Sequence, residues 1–385
     1  MKRQRLIAVV FPEHGLWREV LLGFHEASIN TDWVLWHVTT FSPNSRELVR
    51  NSEASAMLIA APWHEEVLAA GLGKRVMVAA ELDLTQRGIP SVRVDDPAIG
   101  RAAADHLLDQ GQRDFSAFGW PEPFYLARQQ GFAQRVIERG GRFHERWNAT
   151  DYRFMPGEND AYEKSIRTWI DRLPRPCAIL CGADVWGRQL NLILYRWGIR
   201  VPEDFATIGV DNDTLPCATS IPPLSSVAVP WRRVGAEAAR LMADALAKTG
   251  RNRKTPPLVL VPPSGVVVRR SSDMLAVSDQ NVSDALRVIR NRATEAISIS
   301  DILRQVPIGR HALQRAFRRH VGRTMLDEIH RVRVERAKSV LATTDLGMPE
   351  VALSSGFASA ARLAKVFRRE TGTTPGDYRR AFRNR

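Results

Sequence analysis

Short apolar runs alternate with amphipathic stretches through the first 270 residues. "LIAVVF" (6–11) is a continuous apolar run of strand length, and "LWREVLLGFHEA" behind it carries Leu16, Val20 and Phe24 at helical spacing. Further runs of buried-strand type occupy 56–61, 75–80, 115–119, 177–182, 205–211 and 257–263, and helical patterns cover 98–110, 127–139, 161–172, 185–197 and 233–248. Strand-then-helix alternation predicts parallel sheets, because parallel neighbours need a crossover long enough to pack back on the sheet. There are too many strands for one compact unit, and a pause near 110–120 predicts two similar α/β lobes. Ligands in such folds bind beyond the carboxyl ends of the strands, so the residues after each strand matter most.

A polar connector is expected at 271–281, and beyond it the pattern is helical throughout: 282–293, 298–306, 324–343 and 348–357. The tail also repeats itself. "LQRAFRRHVG" (313–322) and "LAKVFRRETG" (363–372) share Leu, Phe, Arg, Arg and Gly at the same offsets, and Thr324/Thr374 and Asp327/Asp377 extend the match. Leu313 and Phe317, like Leu363 and Phe367, stand four apart and share one buried helix face. A short helix, a tight turn and a basic amphipathic helix make a helix-turn-helix. Two such units are predicted, tied by a helix somewhat shorter than one turn of B-DNA, roughly 34 Å, so that both could enter successive major grooves.

Charge supports that division. Residues 281–385 hold 21 Lys and Arg against 10 Asp and Glu, whereas the first 280 hold 34 against 32. A near-neutral body with a strongly basic final quarter is the footprint of a polyanion-binding module joined to another domain. Cys177, Cys181 and Cys217 are an odd, sparse set, which argues against a disulfide framework and fits a reducing compartment. No Cys/His spacing suits zinc, and GxGxxG is absent. The "GLGK" at 71–74 lacks the spacing of a phosphate loop. No metal or cofactor is expected. The basic N-terminus runs into a charged amphipathic stretch rather than a cleavage site, and no run reaches membrane-spanning length. A cytoplasmic protein is expected.

The strand ends carry the candidate ligand chemistry. Asp184 follows 177–182, Asp211-Asn212-Asp213 ends 205–211, and the loop after 115–119 leads to Arg128, with Trp120 and Trp186 alongside. Carboxylates and an arginine offer bidentate hydrogen bonds to vicinal hydroxyls, and an indole covers the apolar face of a sugar ring. An Asp after a strand is also a common helix N-cap, and Trp is often simple packing.

These residues carry two resemblances. "VRVDDPAIGRAAADHLLDQGQRDFSAFG" (92–119), "RQQGF" (128–132), "GADVWGRQLNLILYRWGIRVPEDFATIGVDND" (182–213) and "VGAEAARLMADAL" (234–246) resemble, in order, the ligand-binding domain of LacI/GalR-type repressors. The resemblance covers about residues 4–270. It implies the periplasmic-binding-protein fold, two α/β lobes around a cleft that closes on a sugar or similar small molecule. It also implies ligand contacts at Arg128 and Asp211, with Asp184 matching a polar position where Ala183 replaces a common Asn. The loop 12–17, with Glu13, is where the first lobe would meet ligand, and it follows no family pattern. Those repressors place a helix-turn-helix ahead of the sensor; here the tail is the expected replacement.

"VALSSGFASAARLAKVFRRETGTTPGDYRR" (351–380) resembles the signature of the AraC/XylS family, and the similarity extends over 282–383. By position, Arg310, His311, Gln314 and Arg315 match the base-facing stretch of the first recognition helix, and Ala360, Ala361, Arg362 and Lys365 match the second. Arg318, Arg319, Arg368 and Arg369 follow the core Phe in each copy and are suited to phosphate. A LacI-like sensor (1–270) ahead of an AraC-type domain (282–385) is similar to the architecture of the xylose-operon activators. The resemblance implies a sugar-responsive activator that binds operator DNA as a homodimer, with RNA polymerase as a further partner. A non-sugar effector is the alternative. An alkyl-transfer repair enzyme is a third reading, but it needs an activated thiolate, and Cys177 and Cys181 sit in an apolar strand with no adjacent His or Lys.

Overall fold

The computed structural model describes residues 4–13, 15–70, 75–149, 160–247, 256–273, 279–295, 297–344 and 346–383. The chain divides into two compact units, 1–273 and 274–385. The "GLGK" segment lies outside the described residues.

The first unit contains two sheets. One is wholly parallel and is built from β1 (Arg5–Val10), β2 (Trp33–Val38), β3 (Ala56–Ala60), β4 (Val76–Ala80) and β5 (Ser91–Val94), with helices α1 (Leu16–Ser28), α2 (Pro43–Asn51) and α3 (His64–Ala69). The chain crosses to the second lobe through α4 (Asp96–Asp109). There β6 (Asp114–Gly119), β7 (Arg142–Phe143), β8 (Trp147–Asn148), β9 (Cys177–Cys181), β10 (Phe205–Asp211) and β11 (Ser225–Ala228) form the other sheet. Helices α5 (Pro123–Glu138), α6 (Asp160–Arg172), α7 (Asp184–Arg196) and α8 (Thr214–Thr219) alternate with its strands.

The lobes are not two consecutive halves. Helix α9 (Trp231–Ala247) packs on α1 of the first lobe, and β12 (Leu258–Val261) pairs parallel with β5. The chain then crosses a third time, and β13 (Gly265–Val267) pairs antiparallel with β11. The single pause near 110–120 marks only the first of these crossings. Six strands that the apolar pattern did not mark, β2, β5, β7, β8, β11 and β13, are short or only half-buried, so their continuous apolar signal is weak.

Glycine contacts join helices in both lobes. A Cβ at Gly100 would stand 2.0 Å from the Arg128 carbonyl oxygen, and one at Gly131 2.3 Å from that of Pro97. Only hydrogen fits there, so α4 and α5 touch backbone to backbone. Gly23 and Gly235 do the same for α1 and α9, at 1.9 and 2.0 Å. The Gly100–Gly131 contact fixes the height of Arg128 along its helix.

The second unit is helical: α10 (Gln280–Arg292), α11 (Ile299–Leu303), α12 (Arg310–Val321), α13 (Met325–Thr343), α14 (Met348–Ser354), α15 (Ala360–Thr371) and α16 (Pro375–Arg383). The connector is shorter than 271–281, because Ser271 and Ser272 are buried within the first unit and α10 already starts at Gln280. Helix α11 is also shorter than 298–306. Val306 turns into the core through a bend ahead of Pro307 rather than by continuing the helix.

Two buried clusters share α13 as a spine. Leu313, Phe317, Met325 and Ile329 belong to one, and Ala337, Leu341, Leu363 and Phe367 to the other. Both repeats end at a left-handed glycine, Gly322 at φ 74° and Gly372 at φ 76°. Glycine adopts that conformation without steric cost and stops the helix. The next helix is then capped: the amides of Asp327 and Asp377 donate to Thr324 and Thr374 Oγ1 at 3.2 and 3.1 Å. The extended repeat is a stop-and-restart signal.

Candidate functional site

Arg128 is the centre of the first site. It is only 3% exposed, on α5. Its Nε donates to Asp96 Oδ1 at 2.9 Å and its Nη1 to the Gly182 carbonyl at 2.8 Å, while Asp211 Oδ1 stands 3.8 Å away. The rings of Phe124 and Tyr125 lie under the guanidinium, 5.5 and 5.6 Å from it. Asp96 also accepts from Arg93 Nη2 at 2.8 Å, and Asp95 beside it caps α4 by accepting from the Ala98 amide at 2.9 Å. The paired aspartates of the "VDDP" motif therefore do different work: one starts the crossover helix and the other holds the arginine.

Among the described residues, three that are not glycine have left-handed backbones: Glu81 (φ 58°), Asp211 (φ 105°) and Asn212 (φ 56°). All stand at or just beyond strand ends, where strained conformations often mark function. Burial pushes the Asp211 carboxyl up to about 8 against the pull of Arg128, and Asp184, Asp213 and Asp96 add to the rise. Burial, with Asp96 next, likewise pushes Glu81 up to about 8. Glu81 belongs to the first lobe and accepts from the Val94 amide at 3.1 Å. The site is thus rich in carboxyls and set around one buried, fixed arginine, with Asp211 and Glu81 only partly covered, an arrangement suited to neutral polyhydroxyl groups.

The other sequence candidates lie in different settings. Asp184 is 1% exposed and is the first residue of α7, which Ala183 caps without a side-chain bond. Its Oδ2 accepts from the Asp213 amide at 2.7 Å, so it holds the loop after β10. A Cβ at Gly209 would stand 2.2 Å from Asp184 Oδ1, which explains that glycine. Burial raises the Asp184 carboxyl to about 6. Trp120 is buried edge-on to half-buried Trp186, 4.9 Å between centroids, and the Tyr125 hydroxyl bonds Trp186. Glu13 is exposed, with no hydrogen bond or ion pair among the described residues; the nearby aromatic feature is Trp17 stacked on Phe11 at 5.1 Å. Sequence reasoning missed Asp96, Glu81 and Tyr125. Asp96 was legible in the quoted motif, whereas Glu81 follows an alanine-rich strand with no distinguishing pattern.

The second site is the exposed face of the tail. Arg310, His311, Arg315, Arg318, Arg319, Arg362, Lys365 and Arg368 are exposed and form no ion pair among the described residues. Gln314 is half-buried. Arg369 differs, since it bonds Glu370 Oε1 at 2.6 Å and His330 Nδ1 at 3.2 Å, with Asp327 3.7 Å away. Two further residues join the helix-turn-helix units. Arg333 donates to the Ala293 and Glu295 carbonyls at 2.6 and 2.9 Å, and Gly356 (φ 80°) packs so closely there that a Cβ would meet Ala293 O at 2.7 Å. The three cysteines are buried, and burial drives each thiol up, opposite to an activated nucleophile. Among the described residues no cluster could hold a metal, and no helix is long and apolar enough to cross a membrane.

A two-lobed α/β sensor followed by paired helix-turn-helix units is the architecture of a DNA-binding transcription regulator. Residues 104–272 match the periplasmic binding protein-like domain and residues 302–381 a helix-turn-helix domain. The xylose operon regulatory protein of Escherichia coli (strain K12) is 31% identical over 297 residues, 75% of this chain and 73% of that protein. Its counterpart in Haemophilus influenzae (strain ATCC 51907 / DSM 11121 / KW20 / Rd) is 28% identical over 298 residues, covering 75% and 74%. The solved structure of the xylose-binding transcription activator xylR superposes with a TM-score of 0.75 at 26% identity, over 99% of both chains. The chain belongs to the family of xylose operon regulatory proteins.

Proposed function

We propose that this regulator is an activator controlled by a monosaccharide of the xylose class, bound between the lobes of residues 1–270 and read out by residues 282–385. The observation that carries this reading is Arg128, desolvated, fixed by Asp96 and the Gly182 carbonyl, and faced by Asp211 at 3.8 Å. Arg128 and Asp211 hydrogen-bond sugar hydroxyls, Tyr125 and Trp186 cover the ring, and Glu81 approaches from the first lobe. Asp184 acts through the loop it holds. A ligand that binds the closed lobes better than the open ones shifts the population and, through linkage, the affinity for DNA. The xylose relatives support this reading, and we extend it to a cytoplasmic regulator that binds its operator as a homodimer and engages RNA polymerase. In a thermal-shift panel of pentoses and hexoses, D-xylose should stabilise the protein most. Arg128→Ala should weaken binding by ~1.5–3 kcal/mol, roughly ten- to a hundredfold, and leave DNA binding intact in gel shifts. An unchanged affinity would place the effector elsewhere.

A further inference from the structure

Arg269 lies in the last stretch of the first unit, two residues beyond the end of β13 at Val267. Its Nη2 donates to Asn212 Oδ1 at 2.8 Å and its Nη1 to the Leu224 carbonyl at 3.0 Å. Its amide donates to Ser225 Oγ at 2.7 Å, and its carbonyl accepts from the same hydroxyl at 2.9 Å. Asn212 is the left-handed residue beside Asp211, and its own amide donates to Ser226 Oγ at 2.9 Å.

The chain after Arg269 is woven into the second lobe. Ser271 is fully buried. Its amide donates to the Pro223 carbonyl at 3.0 Å, its carbonyl accepts from the Thr207 amide at 2.8 Å, and its Oγ donates to the Thr207 carbonyl at 2.6 Å. Ser272 Oγ and His106 Nε2 are 2.9 Å apart, which ties the segment to α4 as well. Past Asp273 the chain leaves for the helical unit. One side chain therefore joins the Asp211–Asn212 turn to the segment through which the sensor hands over the chain.

We infer that Arg269 is a positioning residue that couples the Asp211–Asn212 turn to the exit segment 269–273, so that occupancy at the turn alters how that segment is held. The inference rests on the reading that the turn meets the effector. Linkage requires an element whose arrangement both sites bias, and this segment is continuous with one and hydrogen-bonded to the other. Arg269 touches no effector itself; it acts through Asn212.

Two measurements on the full chain test this. The first needs no effector. In Asn212→Gly, which keeps the left-handed turn available and deletes only the amide, amide hydrogen exchange at Thr207 and Ser271 should rise at least several-fold over the parent. Unchanged exchange overturns the inference. The second uses D-xylose and a duplex selected by the parent protein from randomised DNA. The effect of saturating D-xylose on DNA affinity, typically roughly 5–150-fold in such systems, should fall to within about twofold in Arg269→Gln. The double variant should lose no more than either single one, because both remove one link. Coupling that persists in Arg269→Gln, or losses that multiply in the double variant, overturn it. Failure of D-xylose to bind the parent would count against the proposed effector, and the exchange measurement would still decide the role of Arg269.

Discussion

The two helix-turn-helix copies share a skeleton and differ in what they offer to DNA. In both, a buried Leu and Phe anchor the second helix, a left-handed glycine ends it, and a Thr restarts the chain. The first copy exposes Arg310, His311 and Arg315, with Gln314 half-exposed, and its paired Arg318 and Arg319 have no ion-pair partner among the described residues. The second exposes Ala361, Arg362 and Lys365, and of its paired arginines Arg369 is held by Glu370 and His330. Duplication preserved the parts that make the fold and released the parts that face outward. That difference supports the proposal that the first copy carries most of the base reading, whereas the second contributes chiefly to gripping the backbone.

The largest effects should fall on the shared skeleton and should stay local. Phe317 and Phe367 are both fully buried, but in separate clusters on α13. Truncating either to Ala should cost ~3–5 kcal/mol within its own copy. Hydrogen exchange should rise over α10–α12 for Phe317→Ala and over α14–α16 for Phe367→Ala. Equal loss of protection in both copies after either change would mean that they fold as one unit.

Next in size is base reading. Arg315→Ala should relax sequence preference at one operator position by ~1–3 kcal/mol, whereas Lys365→Ala, at the front of the alanine-rich copy, should relax it less. Selection from randomised DNA with each variant checks this. Equal sequence information under both copies would show that the alanine-rich helix reads bases after all.

The caps should matter less and equally. Thr324→Ala and Thr374→Ala each remove an N-cap, typically ~1 kcal/mol, visible as faster exchange at the start of α13 or α16. Hydrogen bonds from Thr324, Thr374 and Ser298 hold Asp327, Asp377 and Asp301 below the usual carboxylate range, Asp301 at about 2. A carboxyl depressed on folding stabilises fully above its ordinary pKa, and that contribution disappears as pH falls through the folded value. Cap protection should therefore fade below pH ~4 and be lost near the folded values; caps that persist unchanged there would contradict these bonds.

The smallest difference expected lies between neighbours. Arg368→Ala should lower the slope of log affinity against log salt by about one. Arg369→Ala, already paired within the protein, should change it less and cost at most ~1 kcal/mol of stability, as exposed ion pairs do. Equal slopes for the two variants would remove the asymmetry.

Much of this was legible in the chain because periodicity and local signals are encoded locally. Strand 205–211 and helix 324–343 are recovered to within a residue, since apolar runs and the Thr324–Asp327 cap need no distant partner. Arg128 and Asp211 were legible through their place after strands and within a recognisable motif. Glu81, Arg269 and Arg333 were not, because each acts on a residue 13 to 57 positions away, at Val94, Asn212 and Ala293 respectively.

By itself the sequence determined the elements, the break between sensor and helical tail, and the duplicated grip, because hydrophobic period, charge and turn residues act over a few neighbours. Only the tertiary structure decided that β12 returns to the first lobe, that Asp184 faces inward to hold a loop, and that Arg369 is occupied. It also decided that Arg128 lies between Asp96 and Asp211, which are 115 residues apart in the chain. Those outcomes depend on which surfaces close over which, and burial then sets the strength and direction of every charge inside.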